Sequence, residues 1–180
     1  MRISDLDKQI IRVLFENGRE SFTNLNKKFF KSTGIKKRIT KLQDSHILKI
    51  QGNTNVNKLN YEIMFILMNM NDSEDLKELL HAYSKCPRVF LLADISGQYN
   101  VIMGIFGTSI DVLHRYLNHC GPTNQKGVSH SLILFNSVIK IPEYLPLNMF
   151  RSKSQENLCG NVCNECEAFL DGICEGCENL

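Results

Sequence analysis

A chain of 180 residues with a net charge of +2 is long enough for one domain or for two small ones. Its sequence has no apolar run near the roughly 18 residues that a membrane span needs, and the N-terminus lacks the apolar core of a signal peptide. These features argue against a membrane or secreted protein, so we expect a cytoplasmic, reducing location and no membrane partner.

The charges are unevenly distributed along the chain. Residues 1–60 carry 13 Lys and Arg against 5 Asp and Glu, residues 61–150 carry 6 against 8, and residues 151–180 carry 2 against 6. Cations gathered in one segment are typical of a surface that binds the phosphates of nucleic acid. The first third of the chain therefore indicates double-stranded DNA as a partner.

The first predicted helix begins at about Ser4, a suitable N-cap, and ends at Asn17 and Gly18. Apolar residues at helical spacing give it one buried side, formed by Leu6, Ile10, Val13 and Leu14. This helix would complete a small core with the two helices that follow.

Those two helices are predicted at residues 23–29 and from Ile35, with a polar turn at residues 31–34 whose hydroxyl groups would act as caps. In the second helix Ile35, Ile39 and Leu42 fall at i, i+4 and i+7, which leaves a cationic outer face. Two helices joined by a short turn, the second one basic, are typical of a helix-turn-helix, whose second helix enters the major groove.

Residues 46–52 alternate as a strand does and are predicted to form a wing, so residues 1–52 are predicted to be a winged helix-turn-helix DNA-binding domain. Within it, some cations would contact phosphates and position the protein, while residues near the start of the second helix would reach base edges. The candidate DNA-binding residues are Lys27, Lys28, Lys31, Ser32, Thr33, Lys36, Lys37, Thr40, Lys41 and Lys49.

Residues 53–60 are polar and rich in Asn, and we expect them to be a linker. From residue 61 to 150 the pattern predicts strands at 61–70, 89–95, 101–106 and 128–141 and helices at 72–84 and 109–119. This order, βαββαβ, is that of the ferredoxin-like fold, so the whole chain is predicted to be α+β. Both helices would cover one face of the sheet, and a second copy is expected to cover the other, giving a homodimer or a larger assembly.

Residues 151–158 are charged and are predicted to be a tether to a cysteine-rich, metal-binding tail at residues 159–180. The tail holds two C-x-x-C pairs, Cys163 with Cys166 and Cys174 with Cys177. Four thiolates can surround one zinc ion tetrahedrally, so zinc is the expected cofactor and Cys159 is a spare or alternative ligand. The alternative cofactor is an iron–sulfur cluster held by Cys159 together with Cys163, Cys166 and one cysteine of the second pair.

Gly176 lies inside the second pair and would let the backbone turn tightly there. A spare thiolate beside a metal could respond to oxidation. The tail is therefore expected either to sense oxidation or metal supply or to brace an interface, and the sequence leaves both roles open.

Three short runs of the sequence carry a resemblance to a known family: LDKQIIRVL at residues 6–14, KRITKL at residues 37–42 and GQYN at residues 97–100. Together with the order of elements, they resemble the Lrp/AsnC family, the feast/famine transcription regulators. In that family the second domain forms oligomers and, in many members, binds a small effector such as an amino acid near a glycine hairpin. The resemblance implies effector-binding residues at Gly97, Gln98, Tyr99 and Asn100, where Asn100 replaces the usual acid.

The prediction for function is a sequence-specific DNA-binding transcription regulator of the Lrp/AsnC type that is not an enzyme. It would be dimeric or higher, and modulated by a small effector and by the metal or redox state of the tail. An enzyme similar to the haem-precursor decarboxylases, which share this fold, is one alternative, although such enzymes do not need a basic helix. A protein-interaction module that uses the tail is another.

Overall fold

The computed structural model describes residues 3–29, 34–119, 121–136, 138–147, 162, 165–171 and 176. The chain forms two compact units, residues 1–52 and residues 53–180. Among the described helices, none combines the length and the apolar character that crossing a bilayer requires.

The first unit contains three helices, α1 (Asp5–Glu16), α2 (Phe22–Lys28) and α3 (Ile35–Asp44). Helix α1 begins with a capping box, because the Ser4 hydroxyl accepts from the backbone N–H of Asp7 while the Asp7 carboxylate accepts from the backbone N–H of Ser4. The core contains Ile10, Val13, Leu14, Leu25, Ile35 and Ile39. The apolar stripe predicted for α3 is confirmed, since its apolar residues are buried and the opposite side faces solvent.

The predicted wing is wrong, because residues 46–52, all of which are described, contain no β-strand. His46 adopts a left-handed φ of 55°, and the N–H groups of Ile47 and Leu48 donate to the carbonyl of Leu42 at 2.9 and 3.1 Å. The segment therefore closes the C-terminal end of α3. The alternation of apolar and polar residues cannot predict this structure, because it does not show whether a neighbouring strand is available for pairing.

The second unit contains six strands, four α-helices and one short 3-10 helix (Pro122–Asn124) in its described residues. The strands are β1 (Thr54–Asn55), β2 (Glu62–Met70), β3 (Val89–Asp94), β4 (Val101–Gly107), β5 (Val128–Asn136) and β6 (Tyr144–Leu145), and the helices are α4 (Val56–Leu59), α5 (Ser73–Tyr83), α6 (Ile110–His119) and α7 (Glu167–Leu170). Four strands form an antiparallel sheet in the order β3-β4-β2-β5, and two form a small sheet of β1 and β6. The predicted βαββαβ order and the α+β class are confirmed.

The helices of the second unit cover one face of the four-stranded sheet. Met64, Ile66 and Met68 of β2 point to this face and pack in one cluster with residues of α5 and α6. On the opposite face Leu134 and Leu132 of β5 pair with Phe65 and Leu67 of β2. Leu132 and Leu134 are 40% and 45% exposed, so this face is apolar and open to solvent there, as the sequence predicts.

The predicted linker at residues 53–60 is instead a folded part of the second unit. Strand β1 pairs with β6, with Thr54 opposite Leu145, and Val56 is buried in a cluster with Ile63 and Phe106. The polar composition of the segment gave no sign of this packing, because Val56 is its one buried apolar side chain.

The last long strand also differs from its prediction, because β5 ends at Asn136 and not at residue 141. Beyond it the amide of Asn57 pairs with the backbone of Ile139, donating to its carbonyl at 2.8 Å and accepting from its N–H at 3.2 Å. Ile139 packs against the cluster of the small sheet. The apolar pattern of the sequence continues past the end of β5 because Ile139 packs against the cluster of the small sheet.

Candidate nucleic-acid interface

The outer face of α3 carries the residues predicted to reach DNA. Lys36, Lys37, Thr40 and Lys41 are all exposed and border one shallow depression together with Asp44 and Ser45. None of the ion pairs found among the described residues uses these lysines. The face therefore presents a net positive charge that is available to an external anion.

Arg38 is the cation of α3 that turns away from this face. Its Nη1 donates to Asp7 Oδ1 at 2.9 Å and to the Ser4 hydroxyl at 3.3 Å. The hydrogen bond with the Ser4 side chain, followed by the contact with Arg38, holds the pKa of Asp7 below its usual range. The start of α1 and the middle of α3 are thus joined by a charged hydrogen-bond network.

The sequence predicts only part of this network. Ser4 and Asp7 have the spacing of a capping box, which the sequence shows. Nothing local links them to Arg38, which is 31 residues from Asp7, because the pairing depends on how α1 and α3 pack.

The turn before α3 is only partly described. Lys31, Ser32 and Thr33, three of the predicted DNA-binding residues, lie outside the described residues. The N-cap of α3 is Gly34, which makes no side-chain hydrogen bond to the helix. The expected hydroxyl cap is therefore wrong for the N-cap position, since a glycine occupies it.

The other predicted phosphate contacts lie on neighbouring segments of the same unit. Lys27 and Lys28 occupy the last turn of α2 and are exposed. A cation at that position is also favoured by the helix dipole, so their placement has a local cause as well. Lys49 is exposed on the segment that follows α3.

The predicted effector residues lie in the turn between β3 and β4. Gly97 and Gln98 are exposed, whereas Tyr99 and Asn100 are half-buried. The amide of Asn100 is already engaged: its Nδ2 donates to the Met70 carbonyl and its Oδ1 accepts from the Met70 N–H, both at 2.8 Å. Asn100 thus extends the pairing between β2 and β4 to Met70, the last residue of β2, as a backbone residue would, which explains an amide at this position.

Replacing Asn100 with Asp is expected to destabilise the protein by about 1–3 kcal/mol at pH 7. The carboxylate loses the donor to the Met70 carbonyl and places a charge beside that oxygen. Folding would then raise the pKa of the new carboxyl group, so the loss is present above the folded-state pKa and diminishes as the pH falls through it. Urea unfolding at pH 7 and pH 4 measures this.

Gln98→Glu is the matched control, because it changes the charge in the same way at an exposed position of the same turn. It is expected to change the free energy of unfolding by less than about 0.5 kcal/mol. Equal stabilities for the two variants at pH 7 would contradict the role given to Asn100.

The predicted metal ligands are largely outside the described residues. Cys159, Cys163, Cys174 and Cys177 are not described, while Cys166 is half-buried at the N-cap of α7. Within the described part of the chain, no three His, Cys, Asp or Glu side chains form a group that could hold a metal ion. Gly176 is buried and has a φ of 74°, the tight left-handed turn expected there.

Two curated relatives are similar to this chain. An HTH-type transcriptional regulator of Pyrococcus furiosus is 33% identical over 107 residues, which cover 57% of this chain and 71% of that protein. A regulator of the same description from Pyrococcus abyssi is 30% identical over 105 residues, covering 56% and 70%. No family model matches the chain.

Solved structures of regulators have the same fold. AsnC of E. coli matches with a TM-score of 0.65 at 21% identity, over 79% of this chain and 99% of that chain. A Pyrococcus furiosus member of the AsnC family matches with a TM-score of 0.58 at 22% identity, over 79% and 94%. A Neisseria meningitidis transcriptional regulator in complex with L-Met matches with a TM-score of 0.65 at 19% identity, over 81% and 95%.

Proposed function

We propose a mode of DNA binding for this chain from the premise that it belongs to the Lrp/AsnC family of transcriptional regulators. The protein is a DNA-binding transcription regulator. In the proposed mode, α3 enters the major groove with its lysine-rich face toward the bases. The observation that carries this proposal is that Lys36, Lys37, Thr40 and Lys41 form one exposed face, opposite the buried stripe of the same helix.

The residues of the interface divide into two roles. Lys36, Lys37 and Thr40 lie in the part of the helix that meets base edges in this docking geometry, and a lysine can donate to the O6 and N7 of guanine. The remaining lysines, Lys27, Lys28, Lys41 and Lys49, would contact phosphates and set the register. The undescribed residues Lys31, Ser32 and Thr33 remain predicted contacts at the start of the helix.

The protein is proposed to bind as a dimer joined through the open face of the second unit's sheet. That face exposes Leu132 and Leu134, and burying apolar area of this kind is the main driving force of association. Two copies would present two α3 helices to half-sites about one turn of DNA apart. Selection from a random DNA pool with the intact protein tests this, because the recovered sites should contain two related half-sites with centres about 10 bp apart.

A small effector is proposed to bind at the turn of residues 97–99. Support comes from the family, and from the Neisseria meningitidis regulator of the same fold that was solved with L-Met. Gly97 and Gln98 are exposed there, whereas the amide of Asn100 is engaged with Met70. A thermal-shift screen with the common amino acids tests the proposal, and a shift lost on Gln98→Ala would place the ligand at this turn.

The tail is proposed to hold zinc through Cys163, Cys166, Cys174 and Cys177, with Cys159 as the spare or alternative ligand. The donor chemistry fits, since thiolates are the preferred ligands of closed structural zinc sites. The φ of 74° at Gly176 also suits the tight turn of a C-x-x-C loop. Bound zinc would supply the cross-link that a 22-residue segment, residues 159–180, needs in order to fold.

Elemental analysis of the anaerobically purified protein should find about one zinc per chain and no absorbance near 400 nm. Cys174→Ser with Cys177→Ser should lower the zinc content strongly, because only two thiolates of the four would remain. Cys120→Ala is the control, since this cysteine lies outside the tail and outside both C-x-x-C pairs. If the analysis finds iron and sulfide, the cofactor is an iron–sulfur cluster and the zinc proposal is wrong. A metal-free protein would contradict both the zinc site and the cluster.

A further inference from the structure

The connection between α5 and β3 contains three buried residues in a row, Cys86, Pro87 and Arg88, which we call the 86–88 corner. Connecting segments normally run over the surface, and arginine is almost never fully buried without partners. Arg88 is nevertheless only 3% exposed. Another part of the molecule must therefore pack over this corner.

One contact of Arg88 shows which part that is. Its Nη2 donates to the backbone carbonyl of Gly176 at 2.9 Å, across 88 residues of sequence. Gly176 is itself buried and lies between Cys174 and Cys177 of the second C-x-x-C pair. A guanidinium group away from water needs hydrogen-bond acceptors, and this carbonyl is one that the tail supplies.

We propose that the 86–88 corner is the docking site for the chain's own cysteine-rich tail, and that metal binding in the tail stabilises the second unit through Arg88. The docking stands on the Arg88 contact alone, whereas its coupling to metal rests on the zinc site proposed above. The tail is then a regulatory element attached to the sheet domain.

Charge supports the choice of an arginine at this corner. Residues 151–180 carry 2 Lys and Arg against 6 Asp and Glu, and a zinc ion with four thiolates adds a net charge of about −2. A guanidinium group that touches the backbone of the second pair offsets part of this charge at low local dielectric. Its planar fork can also hold carbonyl groups in a fixed geometry, which the single ammonium of lysine does less well.

The coupling follows from linkage. A metal that binds the folded tail more tightly than the unfolded one adds stability to every element packed against that tail. The N–H of Cys86 donates to the Tyr83 carbonyl and the N–H of Val89 donates to the Cys86 carbonyl. The first of these amides lies in the corner and the second directly follows it, so their hydrogen exchange reports on whether the tail is docked.

The test compares full-length wild-type protein with Arg88→Met and with Lys85→Met, which removes a cation from an exposed position of the same connection. The rate of alkylation of the tail cysteines by iodoacetamide is followed by mass spectrometry. We expect this rate to rise about tenfold in Arg88→Met and to stay at the wild-type value in Lys85→Met. Equal rates in the two variants would overturn the docking.

A second measurement needs no variant, which matters if Arg88→Met does not fold. In wild-type protein, chelation of the metal should speed hydrogen exchange at the backbone amides of Cys86 and Val89, while α1 of the first unit exchanges as before. Re-addition of zinc should restore the slow exchange and raise the melting temperature by about 5 °C, a shift reduced by more than half in folded Arg88→Met.

The outcomes separate the two proposals. If the protein takes up no zinc and alkylation still distinguishes Arg88→Met from Lys85→Met, the docking stands and its coupling to metal is overturned. If zinc binds equally well and raises the melting temperature equally in Arg88→Met, the metal site stands and the role of Arg88 is overturned.

Discussion

Replacing Lys36 and Lys37 together with alanine is expected to weaken DNA binding at least about 30-fold at constant salt. Loss of a lysine that contacts a base edge costs about 1–3 kcal/mol, and both side chains lie on the exposed face of α3. Alanine favours helix, so α3 itself should be retained. Fluorescence anisotropy with a selected DNA site measures the affinity, and circular dichroism checks the fold.

The salt dependence gives this prediction a second readout. Binding of a cation to a phosphate lowers the slope of log K against log salt by about 0.9. Removing two cations from the interface should therefore give the variant a flatter slope than the wild type. Lys77→Ala with Lys85→Ala is the control, because it removes two exposed cations from the second unit. If this control weakened binding as much as the α3 variant did, α3 would not be the reading helix.

Replacing Leu132 and Leu134 together with Asp is expected to convert the proposed dimer to monomers. Both residues lie on the open face of the sheet, where they pair with Leu67 and Phe65 of β2. A carboxylate buried without a partner at an interface costs several kilocalories per mole, and a twofold interface contains every substitution twice. A loss of about 4 kcal/mol weakens association about a thousandfold.

Sedimentation or light scattering would then report the 20.6 kDa protomer. The substituted side chains are already partly exposed in the single chain, so the protomer should stay folded. Ser131→Asp is the control, since Ser131 is exposed on the same strand but pairs with Met68, which points to the helix-covered face. A monomer produced by the control and not by the leucine variant would show that a different surface joins the copies.

Periodicity explains how much of this fold could be predicted from the sequence. The buried stripe of α3 follows from a spacing of three and four residues, and the same spacing places its cations outward. In β2 the alternate residues Met64, Ile66 and Met68 are buried because the helices cover only one face of the sheet. These patterns are local, so one sequence is enough to reveal them.

The features that the sequence did not predict depend on side chains that pair with distant backbone. Asn57 pairs with Ile139, Asn100 with Met70 and Arg88 with Gly176. From the sequence alone, each of these side chains looks like that of an ordinary polar loop residue. Its backbone partner lies 30 or more positions away in the chain, so no local pattern reveals the pairing. The wing and the linker were misjudged for the related reason that composition does not show which backbone groups meet.

Photo-crosslinking from position 40 shows whether the outer face of α3 reads DNA. A photoreactive residue at position 40, in the intact protein bound to a selected site, should crosslink to bases in the major groove of each half-site. The same residue at exposed position 77 of the second unit should give no such product. Crosslinks to DNA from position 77 with none from position 40 would show that α3 is not the reading helix.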